Sequence, residues 1–278
     1  MTKRKYTSKL MGENVIMQDQ DKTNVAEDKL AQTCGTTTAL WLKLKRFYYI
    51  AIGGLPSGVK LQIGTESATM KDLVETGELA KYLYDPNDAQ FFLSLCDSPE
   101  MHQTTLETSQ SIIDSACIVF AHGILEDCVY EYLTTTAIAS PERWECYVKR
   151  KKVELITFKE VSFEQIRNDK IEKLLGSDVK RESLIDKLDR LHRIAPPSEE
   201  TQQMVVSYDR ERLVRFDRAR QNIVHGNDWS SYLFDFAQEW DYWNGLNFYF
   251  ACLVCVNTGL KLSPKRMGLY LSNRSAKK

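Results

Sequence analysis

The chain has 278 residues, of which 43% are hydrophobic and 27% charged. That balance excludes a disordered, collagenous or low-complexity chain and allows one large domain or two small ones. Lys plus Arg number 37 against 38 Asp plus Glu, a net charge of −1. No whole-protein basic field therefore draws the chain to nucleic acid or an anionic membrane, and any such binding must come from a local patch.

Residues 1–35 mix charged and polar side chains without a sustained period. They read as a flexible N-terminal arm, part of which can dock, and they hold no secretory h-region. The seven cysteines stand at 34, 96, 117, 128, 146, 252 and 255. An odd number with no leader is most simply explained by reduced thiols in a cytoplasm.

Residues 36–98 form a small N-terminal region to which the sequence assigns no role. Within it, Leu42, Leu44, Val59, Leu61 and Ile63 alternate with polar neighbours, the period of a half-buried strand. The intervening Gly53-Gly54-Leu55-Pro56-Ser57-Gly58 is a turn sequence. A β-hairpin is expected over 37–64. The rival expectation is an amphipathic helix from Thr38 to Ile52 stopped by Gly53–Gly54.

From Asp97 the pattern turns helical. Asp97-Ser98-Pro99-Glu100 supplies a capping side chain, a proline at the first turn and an acid at the positive end of the dipole. Apolar residues at three- and four-residue spacings, from Ile112 to Val129, predict a helix over about 99–138. Ser140-Pro141-Glu142 repeats the start signal, and Ser162-Phe163-Glu164-Gln165 is a capping box. Leu184, Leu188, Leu191 and Ile194 draw another stripe, stopped by Pro196–Pro197. Further helices are expected from Tyr208 to near Gly226 and from Ser230 to Thr258, the latter followed by Gly259.

The uncharged stretch Tyr242–Leu260 contains three asparagines, and its unbroken apolar part is Phe248–Val256. A bilayer span needs about 20 apolar residues, so this reads as a buried core helix. The expected fold is mainly α: an antiparallel helical bundle over 99–278, with Leu213, Phe216, Leu253 and Val256 buried, and a small N-terminal region containing the hairpin.

The segment Ser207–Trp229 carries the chemistry. On a helical wheel, Leu213, Phe216, Ile223 and Val224 fall within one arc, and Arg220 lies inside it. An arginine there is expensive unless paired, so a carboxylate, a second subunit or a phosphate is expected to face it. Five residues later come His225 and the helix-stopping Gly226, which put the imidazole at a helix end. The bland alternative is an arginine satisfying backbone carbonyls and a histidine capping a C-terminus.

Arg220-Gln221-Asn222-Ile223-Val224-His225-Gly226 precedes a long aromatic-rich helix, and an upstream helix carries Phe120-Ala121-His122-Gly123-Ile124-Leu125-Glu126-Asp127. This arrangement over about 99–262 resembles the HEPN superfamily, marked by an Arg-x4–6-His motif ahead of the last long helix. The resemblance implies a helical bundle that dimerises so that two motifs meet. It also implies either a metal-independent endoribonuclease, of the toxin or antiviral-effector kind, or an inactive module that binds RNA, a nucleotide or a partner protein. The motif maps onto Arg220 and His225, with RNA, a second copy and an antitoxin or regulatory protein as implied partners, and no membrane. The family usually has Asn, Asp or His directly after the arginine. Here Gln221 stands there, with Asn222 next, so either one of these amides fills the role or activity is altered or absent.

The residue chemistry suits RNA cleavage. RNA carries its own nucleophile, the 2′-hydroxyl. Histidine acts as base or acid near neutral pH, and two histidines across a dimer axis can do both jobs. Arginine supplies a forked permanent cation for the phosphorane charge. No metal or other cofactor is called for.

Other candidates have bland alternatives. Glu126 and Asp127 either orient Arg220 across the bundle or face solvent. Lys149-Arg150-Lys151-Lys152 is a solvated face or part of an RNA track. His122 reads as a core or interface histidine, Cys252 and Cys255 as core thiols, and Trp240, Trp243 and Phe248 as core or dimer surface.

Overall fold

A computed structural model of the chain describes residues 19–78, 81, 91, 94, 98–148, 162–199, 201, 208–226 and 236–272. Among these residues there are helices and no strands. In chain order they are α1 (Asp19–Glu75), α2 (Pro99–Ala139), a 3-10 turn (Pro141–Trp144) leading into α3 (Glu145–Val148), α4 (Phe163–Lys173), α5 (Leu184–Ile194), α6 (Arg210–Val224), α7 (Phe236–Thr258) and α8 (Pro264–Ser272). α4 runs on into a π-helical turn at Leu174–Val179.

The largest correction falls on the N-terminal region. The expected hairpin does not exist: residues 37–64 lie inside α1, a single helix of 57 residues. Its buried side chains include Ala26, Leu30, Cys34, Thr37, Trp41 and Leu44, then Val59 and Ile63. Spacings of three and four put these on one face of a helix. Leu42 and Leu61, which the strand reading placed beside Leu44 and Ile63, are 48% and 74% exposed. The rival reading is right that Thr38–Ile52 is helical but wrong in its stop, because the helix does not end at Gly53–Gly54 but continues past Pro56. Nor are residues 19–35 a loose arm, since they form the first turns of α1 and bury Ala26, Leu30, Ala31 and Cys34.

α1 lies antiparallel along α2. Lys29 pairs with Glu131 at one end, and the Tyr48 hydroxyl meets the Asp114 carboxyl nearer the middle. The start signals at Ser98 and Ser162 stand, each side chain accepting a backbone N–H in the first turn of α2 and α4, whereas Ser140 opens a 3-10 turn without a side-chain cap. Ser183 and Asp209, which the sequence reading did not single out, cap α5 and α6 in the same way. Gly226 and Gly259 end α6 and α7 in the left-handed region, at φ 69° and 73°, where a side chain would be strained.

α7 forms the centre of the bundle, as the uncharged stretch suggested. Trp243 stacks on Trp41 at 5.6 Å between centroids and packs on Phe216 at 5.0 Å. The fully buried Asn247 joins three helices. Its Nδ2 donates to Cys34 O and Thr38 Oγ1 on α1, each at 3.1 Å, and its Oδ1 accepts from the Tyr132 hydroxyl on α2 at 2.7 Å. Leu213, Phe216 and Leu253 are buried as expected, but Val256 is 49% exposed. It lies in the last turn of α7, off the face that Leu246, Phe250, Leu253 and Val254 present to the core. No helix among the described residues is long and apolar enough to cross a membrane.

Candidate functional site

α6 is the helix that carries Arg220 and His225, and its residues up to Asp217 are tied to neighbouring helices. Leu213, Phe216 and Ala219, three residues apart, are buried on one side. At its start, Asp209 caps the helix and its backbone carbonyl accepts from the Tyr242 hydroxyl on α7 at 3.2 Å. Arg212 reaches Glu239 on α7 with Nε and Nη2, at 3.1 and 2.8 Å, and its guanidinium lies 4.0 Å over the Tyr242 ring. Arg210 grips Asp189 on α5 in the same two-pronged way, at 3.1 and 2.8 Å. That bond holds the Asp189 carboxyl below its ordinary value. Two of the α6 arginines are therefore structural ties. Arg215 and Arg218 are exposed.

Arg220 lies in the last two turns of α6 and is half-buried. Its Nη1 donates to the neighbouring Gln221 Oε1 at 3.3 Å. Gln221 and Asn222 are half-buried as well. His225 is the C-cap residue: its backbone N–H donates to Gln221 O at 3.0 Å, and the residue is exposed. Five residues at about 100° each bring the two side chains off the helix about 140° apart. One chain thus presents them on adjoining faces of a helix end.

Glu126 does not take the supporting role expected for it. Instead of orienting Arg220, it accepts from Lys187 Nζ on α5, and its Oε2 lies 3.8 Å from His122 Nδ1. The other face of His122 donates from Nε2 to Asp217 Oδ1 on α6 at 2.8 Å, one turn before Arg220. His122 is 4% and Lys187 2% exposed. A polar chain, buried at Lys187 and His122 and half-buried at Glu126 and Asp217, therefore runs Lys187–Glu126–His122–Asp217 and joins α5, α2 and α6. A cation as deeply removed from water as Lys187 persists only when paired.

Sequence reasoning placed His122 correctly in the core but missed Lys187 and Asp217. The signal was present: Leu184, Lys187, Leu188 and Leu191 occupy one helical stripe, so Lys187 is a cation in an apolar arc. The same test singled out Arg220.

Asp127 is exposed as a residue, but partial loss of water around its carboxyl, and then the charges of Glu126 and Glu131, raise its pKa. Lys149, Arg150 and Lys151 lie outside the described residues. Trp240 and Trp243 are core, and Phe248 is half-buried against it. Cys252 and Cys255 are half-buried rather than fully enclosed. Burial pushes the thiols of Cys34 and Cys255 up to about 11 and that of Cys117 to about 12. None of these three is a thiolate nucleophile at neutral pH.

Comparison with models of known protein families, with curated proteins and with solved structures finds no match.

Proposed function

We propose that this chain is a metal-independent endoribonuclease of the HEPN type that acts as a homodimer, in the role of a toxin or antiviral effector opposed by an antitoxin or regulatory protein. The observation that carries this reading is the end of α6. An exposed imidazole, His225, follows the permanent cation of Arg220 by five residues, with the amides of Gln221 and Asn222 between them. The presenting helix is fixed from three sides by the ties to Asp189, Glu239 and His122. Chemistry by positioned groups requires such rigidity.

In this mechanism the His225 of one copy takes the proton from the 2′-hydroxyl. The same residue of the second copy gives a proton to the leaving 5′-oxygen. Arg220 stabilises the charge that builds on the phosphorane oxygens. The roughly 140° divergence of the two side chains around the end of α6 supports a site that a second copy completes. Gln221 holds Arg220, which assigns the amide after the arginine to orientation.

The alternative is an inactive module of the same type that binds RNA, a nucleotide or a partner protein. The observation in its favour is also at Gln221: its amide oxygen is already occupied by Arg220 within the same chain. One experiment separates the two. Purified protein is incubated with mixed RNA in EDTA, as wild type and as His225→Ala. Cleavage by the wild type that leaves 2′,3′-cyclic phosphate ends and stops in the variant supports the nuclease. RNA bound but never cut supports the module, and neither binding nor cleavage removes the nuclease and leaves only a module that takes a nucleotide or a partner protein.

A further inference from the structure

A groove of about 830 Å³, with no α6 residue in its lining, opens between the first turns of α1, the end of α2, and α4. Its floor is apolar, with Val25, Ile138, Ile171, Leu175 and Leu260 among its lining. The rim is acidic: Glu142 from the 3-10 turn and Glu164 and Glu172 from α4. Arg167 also lines it. Its Nη1 is drawn 3.8 Å from Glu145, while its buried Nε has no hydrogen-bond partner among the described residues. The groove thus offers an apolar surface for side chains and carboxylates for cations.

The sequence supplies a segment of matching chemistry at the right place. α1 begins at Asp19, and Lys22, Thr23 and Val25 of its first turns form one wall of the groove. The eighteen residues before it read MTKRKYTSKLMGENVIMQ. They carry Lys3, Arg4, Lys5 and Lys9 against a single acid, Glu13, and the apolar pairs Leu10–Met11 and Val15–Ile16. We infer that residues 1–18 dock in this groove of their own chain, with Val15 and Ile16 on the apolar floor and the Lys3–Lys9 cations at the Glu142, Glu164 and Glu172 rim.

Three arguments favour this occupant. The charges are complementary. The apolar floor of Val25, Ile138, Ile171, Leu175 and Leu260 matches the apolar pairs Leu10–Met11 and Val15–Ile16. The tether is short: ten residues from Lys9 to Asp19 reach at most about 35 Å when extended. A tether of this length holds the segment at high effective concentration without strong intrinsic affinity. The inference is independent of the nuclease reading, because it uses none of the residues at the end of α6.

The test uses the full chain. Protein labelled with ¹⁵N is mixed with unlabelled protein and treated with a carbodiimide, which joins an amine directly to a touching carboxylate. The expected products link Lys3, Lys5 or Lys9 to Glu142, Glu164 or Glu172 within chains of one isotope. In a second arm, trypsin cleavage after Lys9 is followed by mass spectrometry. Glu164→Lys with Glu172→Lys should speed it at least tenfold, and both residues are exposed, so the change leaves the core intact. Links between chains of different isotope would give the groove to a second copy and overturn docking within one chain. No link to the three rim glutamates, with a cleavage rate unchanged by the charge reversal, would overturn the proposal altogether.

Discussion

His122 on α2 donates from Nε2 to Asp217 on α6 at 2.8 Å, a bond between residues 95 positions apart. On its other side lies Glu126, which also receives the buried Lys187 ammonium. The four residues form one unit, so removing a member strands the next. Glu126→Ala leaves the Lys187 cation, 2% exposed, without its carboxylate. Because Glu126 itself meets solvent, the expected loss is about 2–3 kcal/mol, below the full cost of orphaning a wholly buried charge. Urea unfolding measures it. A loss under about 0.5 kcal/mol, the level of an ordinary surface change, would show that Lys187 finds other partners.

At the end of α6, His225→Ala is expected to lower metal-free RNA cleavage by about 10²–10⁴-fold, the usual worth of positioned proton transfer. Arg220→Ala is expected to cost a comparable factor through lost charge stabilisation. His225 is exposed, so its variant should keep the wild-type melting temperature. Cleavage gels in EDTA read the activity, and thermal scans read the fold. Activity that survives His225→Ala refutes the mechanism.

Two sets of glycines in α1 should respond with opposite sign. Gly53, Gly54 and Gly58 have open space where a Cβ would go and sit inside a continuous helix. Each Gly→Ala change there is expected to stabilise the protein by about 0.5–1 kcal/mol, through the entropy the unfolded chain no longer loses. Gly35 faces α8, and a Cβ added to it would stand 2.7 Å from Met267 O and 3.2 Å from Tyr270 Cβ. Gly35→Ala is expected to cost about 1–3 kcal/mol by forcing α8 away. Denaturant midpoints of the four variants check both signs.

Burial holds the His192 imidazole below its ordinary 6.5, with Asp189 opposing in part. The unfolded chain accepts a proton at pH values where the folded protein refuses it. This residue's contribution is therefore full above pH 6.5 and is lost as pH falls through the window between 6.5 and the lower folded value. His192→Phe, which keeps a ring against the edge-on Tyr208 at 4.3 Å, should flatten stability against pH in that window. Urea midpoints measured across it for both proteins give the difference. Parallel curves would place the acid sensitivity elsewhere.

The helical bundle and most helix starts were legible in the sequence because their signals are local. Ser98 and Ser162 cap helices with their own side chains, and Gly226 and Gly259 end helices by backbone conformation. The position of His225 at a helix end followed from the same local chemistry. α1 was not legible, because there the local signals pointed the wrong way. Gly53, Gly54, Pro56 and Gly58 disfavour helix one by one. A 57-residue helix nevertheless runs through them, packed against α2 over the stretch that pairs Lys29 with Glu131 and Tyr48 with Asp114 and buries Trp41 and Leu44 in the core. The partners of charged residues were likewise decided in three dimensions. The sequence marked Arg220 as a cation in an apolar arc, but only packing set it at a half-exposed helix end beside Gln221 and gave Glu126 to Lys187 and His122. Caps and turns are set by neighbours within a few residues. Ion pairs and the fate of a weak helix are set by whichever surface the fold brings against them.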